Sequence, residues 1–149
     1  MASETTFATS FKTITVMKID RIEHIGIAVK NLSEAIRFYE DILNLKCYGI
    51  EEIADQKVRT AFFQVGGTKV ELLESTDPEG PVGRFIDSKG EGIHHIAFAV
   101  DDIVSSLNEL REKGVRLIDQ APRKGAEDLK IGFLHPKATL GVLTEFCSK

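Results

Sequence analysis

The chain has 149 residues, 42% hydrophobic and 28% charged, which is the size and balance of one soluble globular domain around a single core. A net charge of −4 argues against a general affinity for nucleic-acid phosphates, and no apolar run is long enough to cross a bilayer. Cys47 and Cys147 are too few for a bridged framework, so the expected compartment is reducing, the cytoplasm, with both thiols buried and inert.

In chain order, residues 1–17 read as a disordered tail. They are rich in Ser and Thr, and Met17 makes a natural start for the patterned region. A presequence directing the chain to the mitochondrial matrix is the competing reading, and the absence of Arg before Met17 argues against it. Residues 18–149 read as one domain made of two tandem modules, about 18–75 and 91–149, joined by a linker at 76–90.

The division rests on an internal repeat. IEHIGIAVKNLSEAIRFYEDIL, from Ile22, aligns without a gap on IHHIAFAVDDIVSSLNELREKG, from Ile93, so His24 falls on His95 and Val29 on Val100. Each copy predicts a strand, a polar turn and an amphipathic helix. The first helix has Asn31 or Ser33 as its cap and an apolar stripe of Ala35, Ile36, Tyr39, Ile42 and Leu43. The second is capped by Asp101 or Asp102 and buries Val104, Leu107 and Leu110.

Three strands are expected after each helix: Cys47–Ile53, Val58–Val65 and Lys69–Leu73, then Val115–Ile118, Lys130–Leu134 and Gly141–Cys147. Gly66-Gly67 signals a hairpin, and the linker carries a short helix near Val82–Asp87. The fold class is therefore α+β: two β-α-β-β-β modules forming a cupped, mostly antiparallel open barrel.

Strand alternation places His24, Gly26 and Ala28 on one face of the first strand, opposite Ile25, Ile27 and Val29. His95, Ala97 and Ala99 repeat the arrangement, leaving space beside each histidine, while His94 has the opposite parity and reads as structural. Glu71 and Glu145 stand inside the apolar runs VELL and TEFC, where an unpaired carboxylate is costly to bury. His24 and Glu71 are 47 residues apart, and His95 and Glu145 are 50 apart, so equivalent strands supply one imidazole and one carboxylate each. Such a set, His24, Glu71, His95 and Glu145, suits one divalent cation with two positions open: Co²⁺, Mn²⁺, Ni²⁺ or Zn²⁺. Glu74, of opposite parity to Glu71, is expected in solvent.

These residues resemble the vicinal oxygen chelate superfamily and, within it, the methylmalonyl-CoA epimerase family. The resemblance runs from about Lys18 to Phe146 and is carried by DRIEHIGIAVKNL, TKVELLE, GEGIHHIAFAVDDI, KGVRLID and IGFLHPKATLGVLTE. It implies metal ligation by His24, His95 and Glu145 with Glu71 as fourth ligand, and Co²⁺ as the first choice of ion. It also implies an acyl-CoA substrate, no nucleic-acid or membrane partner, and a homodimer. The implied reaction exchanges the (2R) and (2S) forms of methylmalonyl-CoA through a metal-stabilised enolate; the two-fold relation of the ligand carboxylates makes Glu145 and Glu71 the expected acid–base pair.

Two departures stand out. Some members of the family carry Gln at the Glu71 position and a catalytic Glu in the preceding strand, where this chain has Thr60. RKGAEDLKIGF carries Glu127 and Asp128 where the family has a glycine pair. Arg123, Lys124, Lys130 and Lys137 are near the expected mouth but read as ordinary solvated charges, and His135, before Pro136, as a turn former. The competing functions are glyoxalase I (a glutathione-dependent lyase), a metal-dependent dioxygenase of the same superfamily, and a binding module without catalysis. HPKATLG before the last glutamate argues against the first, and four protein ligands argue against the second.

Overall fold

The computed structural model describes residues 16–149, so the tail reading of residues 1–17 lies almost entirely outside the described residues. Eight strands form one mixed sheet: β1 (Ile19–Ala28), β2 (Cys47–Ile53), β3 (Val58–Val65), β4 (Thr68–Ser75), β5 (Gly92–Val100), β6 (Arg123–Lys124), β7 (Lys130–Leu134) and β8 (Thr144–Ser148). Their order is β2-β3-β4-β1-β5-β8-β7-β6, with β1 and β5 antiparallel at the centre. Only β1–β4 and β5–β8 run parallel, so each β-α-β-β-β run wraps outward from its own central strand. The sheet curls into a half-barrel with its helices outside, the cupped α+β fold that the repeat predicts.

Among the described residues, three α-helices complete the fold: α1 (Leu32–Arg37), α2 (Pro81–Lys89) and α3 (Ile103–Glu112). Asn31 Oδ1 accepts from the Glu34 N–H at 3.0 Å, and Asp102 Oδ1 accepts from the Ser105 N–H at 3.1 Å, which caps α1 and α3 and resolves both pairs of candidates. Val29, Leu32, Ala61, Phe63 and Leu72 form one core cluster under α1. Val100, Ile103, Leu107, Leu110, Leu117, Leu134 and Phe146 form its counterpart under α3. The hairpin falls at Gly66-Gly67, where Gly66 takes φ +58, a conformation glycine adopts without strain.

Four local expectations need correction. After Arg37 the chain widens into a π-turn at Phe38–Ile42, which rotates Ile42 and Leu43 out of the apolar stripe and leaves them 65% and 46% exposed. On α3, Val104 is exposed and Ile103 takes the buried place, because positions 103, 107 and 110 share the inner face. The strand expected at Val115–Ile118 is a single bridge, Leu117 to Leu134; the pairing strand forms later, as the two residues of β6. Pro122 immediately before β6 has no N–H to extend the ladder. The last strand begins at Thr144, since Gly141 at φ +89 is in a turn.

Candidate metal centre

The register of the central strands builds the site. His24 of β1 pairs across to Ala97 of β5, and His95 of β5 pairs across to Gly26 of β1. Continuing along each row, Ala97 pairs with Glu145 on β8, and Gly26 pairs with Glu71 on β4. Each histidine thus looks over a small residue towards the neighbouring half. The space is needed: a Cβ added at Gly26 would meet His95 Cε1 at 2.3 Å.

All four expected ligands are buried, at 3–6% exposure, and converge inside the cup. His24 Nε2 lies 2.9 Å from His95 Nε2 and 3.0 Å from Glu145 Oε2. Glu71 Oε2 lies 2.8 Å from the other ring nitrogen, His24 Nδ1. His24, His95 and Glu145 therefore offer three donor atoms to one point, whereas Glu71 groups with Glu23 on the far side of the His24 ring. Glu71 Oε2 and Glu145 Oε2 are buried without a hydrogen-bond partner despite these close approaches. The orphaned Glu145 Oε2 beside two imidazoles is a donor set that a divalent cation satisfies, whereas Glu71 Oε2, at the opposite ring nitrogen, has to turn to join it. Bonds of about 2.1 Å at right to tetrahedral angles would separate donors by roughly 3.0–3.4 Å, in line with the two His24 Nε2 spacings.

Charge in the site is uneven. Burial alone would depress the His24 imidazole, but the close carboxylates Glu145, Glu23 and Glu71 outweigh it and hold His24 well above its ordinary value. His95 goes the other way, pushed well below by complete burial and by its neighbours His24 and His94. Glu145 is raised, chiefly by burial. Without a cation, a proton on His24 balances the carboxylates; a divalent ion would take its place.

Several participants are not visible in the strand pattern. Glu23, adjacent to His24 and of opposite parity, is buried and lines the same pocket. Its Oε1 is 3.1 Å from His24 Nδ1 and 2.7 Å from Lys69 Nζ. Lys69 continues to Glu127 Oε1 at 3.1 Å, which also accepts from the Tyr48 hydroxyl at 2.8 Å. The Glu127 N–H donates to Glu51 Oε2, so the segment before β7 reaches across the cup to β2 and β4. Glu127 and Asp128 both hold positive φ, at +56 and +59, where the sequence comparison expects glycines. His94 is not remote from its neighbour either: its Nδ1 is 2.9 Å from His95 Nδ1 and its ring packs edge-on against Phe85. Burial and the nearby Lys89 charge lower His94 to about 4, so it is neutral at pH 7. Glu74 is half-buried rather than solvated and accepts from the Leu32 N–H at 2.7 Å, serving the start of α1.

Thr60, where the family resemblance leads one to expect a second acidic group, is fully buried in the same pocket as Glu71, His95 and Glu145. Among the basic residues, Arg123 pairs with Asp119 at 3.2 Å and Lys124 with Asp128 at 2.9 Å. Cys147 is buried, its thiol pushed up to about 12 by burial, and Cys47 is half-buried; both are free. A cavity of about 730 Å³, lined by Tyr48, Lys69, Glu127 and Cys147 among others, adjoins the centre through Glu23, Lys69 and Leu129. Among the described residues, no helix is long and apolar enough to cross a membrane.

Residues 23–133 match the Glyoxalase/Bleomycin resistance protein/Dioxygenase superfamily. An uncharacterised Bacillus subtilis protein, YqjC, is 44% identical over 129 residues, 87% of this chain and 92% of its own length. The mitochondrial methylmalonyl-CoA epimerase of Mus musculus is 33% identical over 131 residues, 87% of this chain and 74% of that protein. A methylmalonyl-CoA epimerase solved in complex with methylmalonyl-CoA and NH4+ superimposes with a TM-score of 0.85 at 37% identity, covering 87% of this chain and 94% of that one. The chain belongs to the Glyoxalase/Bleomycin resistance protein/Dioxygenase superfamily and, within it, to the methylmalonyl-CoA epimerase family of isomerases.

Proposed function

We propose that this protein interconverts the (2R) and (2S) forms of methylmalonyl-CoA by proton transfer at the carbon between thioester and carboxylate. The observation that carries the reading is the pair of buried, unpartnered carboxylate oxygens, Glu71 Oε2 and Glu145 Oε2, at opposite nitrogens of the His24 ring. Inversion needs one group to remove the proton and a second to return one on the other face. Glu145 is the first: burial raises its carboxyl above the ordinary value, which strengthens it as a base. Glu71 is the second, because Thr60 has no carboxylate to take that role.

His24, His95 and Glu145, with Glu71 as a fourth ligand, would hold the divalent cation, Co²⁺ first, with Mn²⁺, Ni²⁺ or Zn²⁺ as alternatives. Bound there, it would supply Lewis-acid stabilisation of the negative charge that develops on the thioester oxygen, worth several kcal/mol. The residues themselves do the rest. Ala97, Ile131 and Phe133, in one buried cluster, keep water from the reacting carbon. The 730 Å³ cavity beside Lys69 has the size to admit the pantetheine arm. A homodimer belongs to the same reading, with the exposed Phe38, Ile42 and Leu43 as available apolar surface.

The test is NMR of methylmalonyl-CoA in D₂O with metal-replete protein, repeated with a chelator. Solvent deuterium is expected at C2 only in the first case. A metal-replete protein that leaves the C2 proton in place overturns the proposal.

A further inference from the structure

Of the register shifts in the sheet, two fall beside the histidines. Between Ile22 and His24, β1 advances two residues while β5 advances one, from Phe98 to Ala97, so Glu23 is the extra residue of a bulge. Between Ile93 and His95, β5 advances two while β1 advances one, from Ile27 to Gly26, so His94 is the extra residue of a second bulge. Glu23 and His94 are equivalent in the internal repeat. A bulge abolishes strict alternation and re-aims a side chain. Here each bulged residue turns towards the histidine that follows it: Glu23 Oε1 to His24 Nδ1 at 3.1 Å, and His94 Nδ1 to His95 Nδ1 at 2.9 Å.

We propose that Glu23 and His94 are positioning residues that accept the Nδ1–H of His24 and His95, leaving both Nε2 lone pairs turned to the cation. The inference rests on reading His24, His95 and Glu145 as ligands. An acceptor at Nδ1 sets tautomer and ring angle and raises the basicity of the ligating nitrogen. Glu71 Oε2 also approaches His24 Nδ1, at 2.8 Å, but makes no hydrogen bond there, whereas Glu23 Oε1 does. Glu23 is itself held by Lys69 Nζ at 2.7 Å, and Lys69 by Glu127 at 3.1 Å. Orientation of a first-module ligand therefore depends on a residue of the second module. As an anion, Glu23 has the larger effect; His94 acts as a neutral acceptor.

The test is titration of metal-free protein with Co²⁺ against a competing chelator, with the visible d–d spectrum recorded at saturation. Glu23→Leu is expected to weaken Co²⁺ binding roughly 10- to 100-fold and to shift the spectrum, with Glu23→Gln intermediate because it keeps an acceptor without the charge. His94→Phe is expected to weaken binding, and His94→Gln to restore it. Wild-type affinity and spectrum in Glu23→Leu and His94→Phe overturn this inference alone. Failure of the wild-type protein to bind Co²⁺ overturns both it and the metal-centre reading.

Discussion

His24 and His95 occupy equivalent places in the repeat, yet their surroundings are opposite. His24 has three carboxylates within hydrogen-bonding range, Glu23, Glu71 and Glu145, and is driven towards its charged form. His95 meets His94, Phe133 and the face of Gly26, and is kept neutral. Duplication has preserved the backbone, including the two bulges, while the neighbours have diverged in charge. Two imidazoles related by pseudo-symmetry need not titrate alike, because a pKa is set by the few ångströms around the ring. The asymmetry concentrates the site's acidic groups around one histidine and its apolar wall around the other.

The comparison can be broken most severely at the carboxylates. Glu145→Gln is expected to lower kcat for epimerisation by roughly 10²–10⁴-fold, the range for losing a positioned acid–base group, and to weaken metal binding as well. Glu71→Gln is expected to abolish C2 exchange for one stereoisomer while retaining it for the other, measured by NMR on resolved substrates. Full turnover with metal retained in Glu71→Gln would remove Glu71 from the mechanism.

A steric pair sharpens the contrast. Gly26→Ala places a methyl 2.3 Å from His95 Cε1, so an overpacking loss of about 1–3 kcal/mol and weaker Co²⁺ binding are expected from denaturant unfolding and titration. Ala97→Gly, at the mirrored position opposite His24, removes a methyl without a clash, and a loss of about 0.5–1 kcal/mol with near-normal binding is expected. Equal effects at the two positions would show that the pseudo-symmetric rows are packed alike.

The smallest effect is on pH dependence. In metal-free protein His24 binds its proton more tightly than the unfolded chain does, so its stabilisation is complete below the ordinary value of 6.5 and is lost as pH rises through the raised folded value. For His95 the sign reverses: the unfolded chain takes up the proton first, so stability falls as pH drops below 6.5. Thermal unfolding in chelator from about pH 5 to about pH 9 is expected to decline on both sides, with saturating metal flattening the alkaline limb. An alkaline limb unchanged by metal would separate His24 from the cation.

The sequence alone determined the doubled architecture and the four inward residues, because a two-residue strand period and a fixed repeat place matching side chains on matching faces. His24, His95, Glu71 and Glu145 all break an apolar or small-residue pattern, and that conflict is readable without coordinates. The tertiary structure alone decided which nitrogen of His24 meets which carboxylate, and that Glu23 and His94 join the site. Their parity points them away from it; only the pairing of β1 with β5 creates the bulges that turn them inward. Lys69 and Glu127, 58 residues apart, and the exposed Ile42 and Leu43 after α1 were hidden for the same reason. Long-range contacts and a local π-turn depend on how the modules close on each other, which no local periodicity encodes.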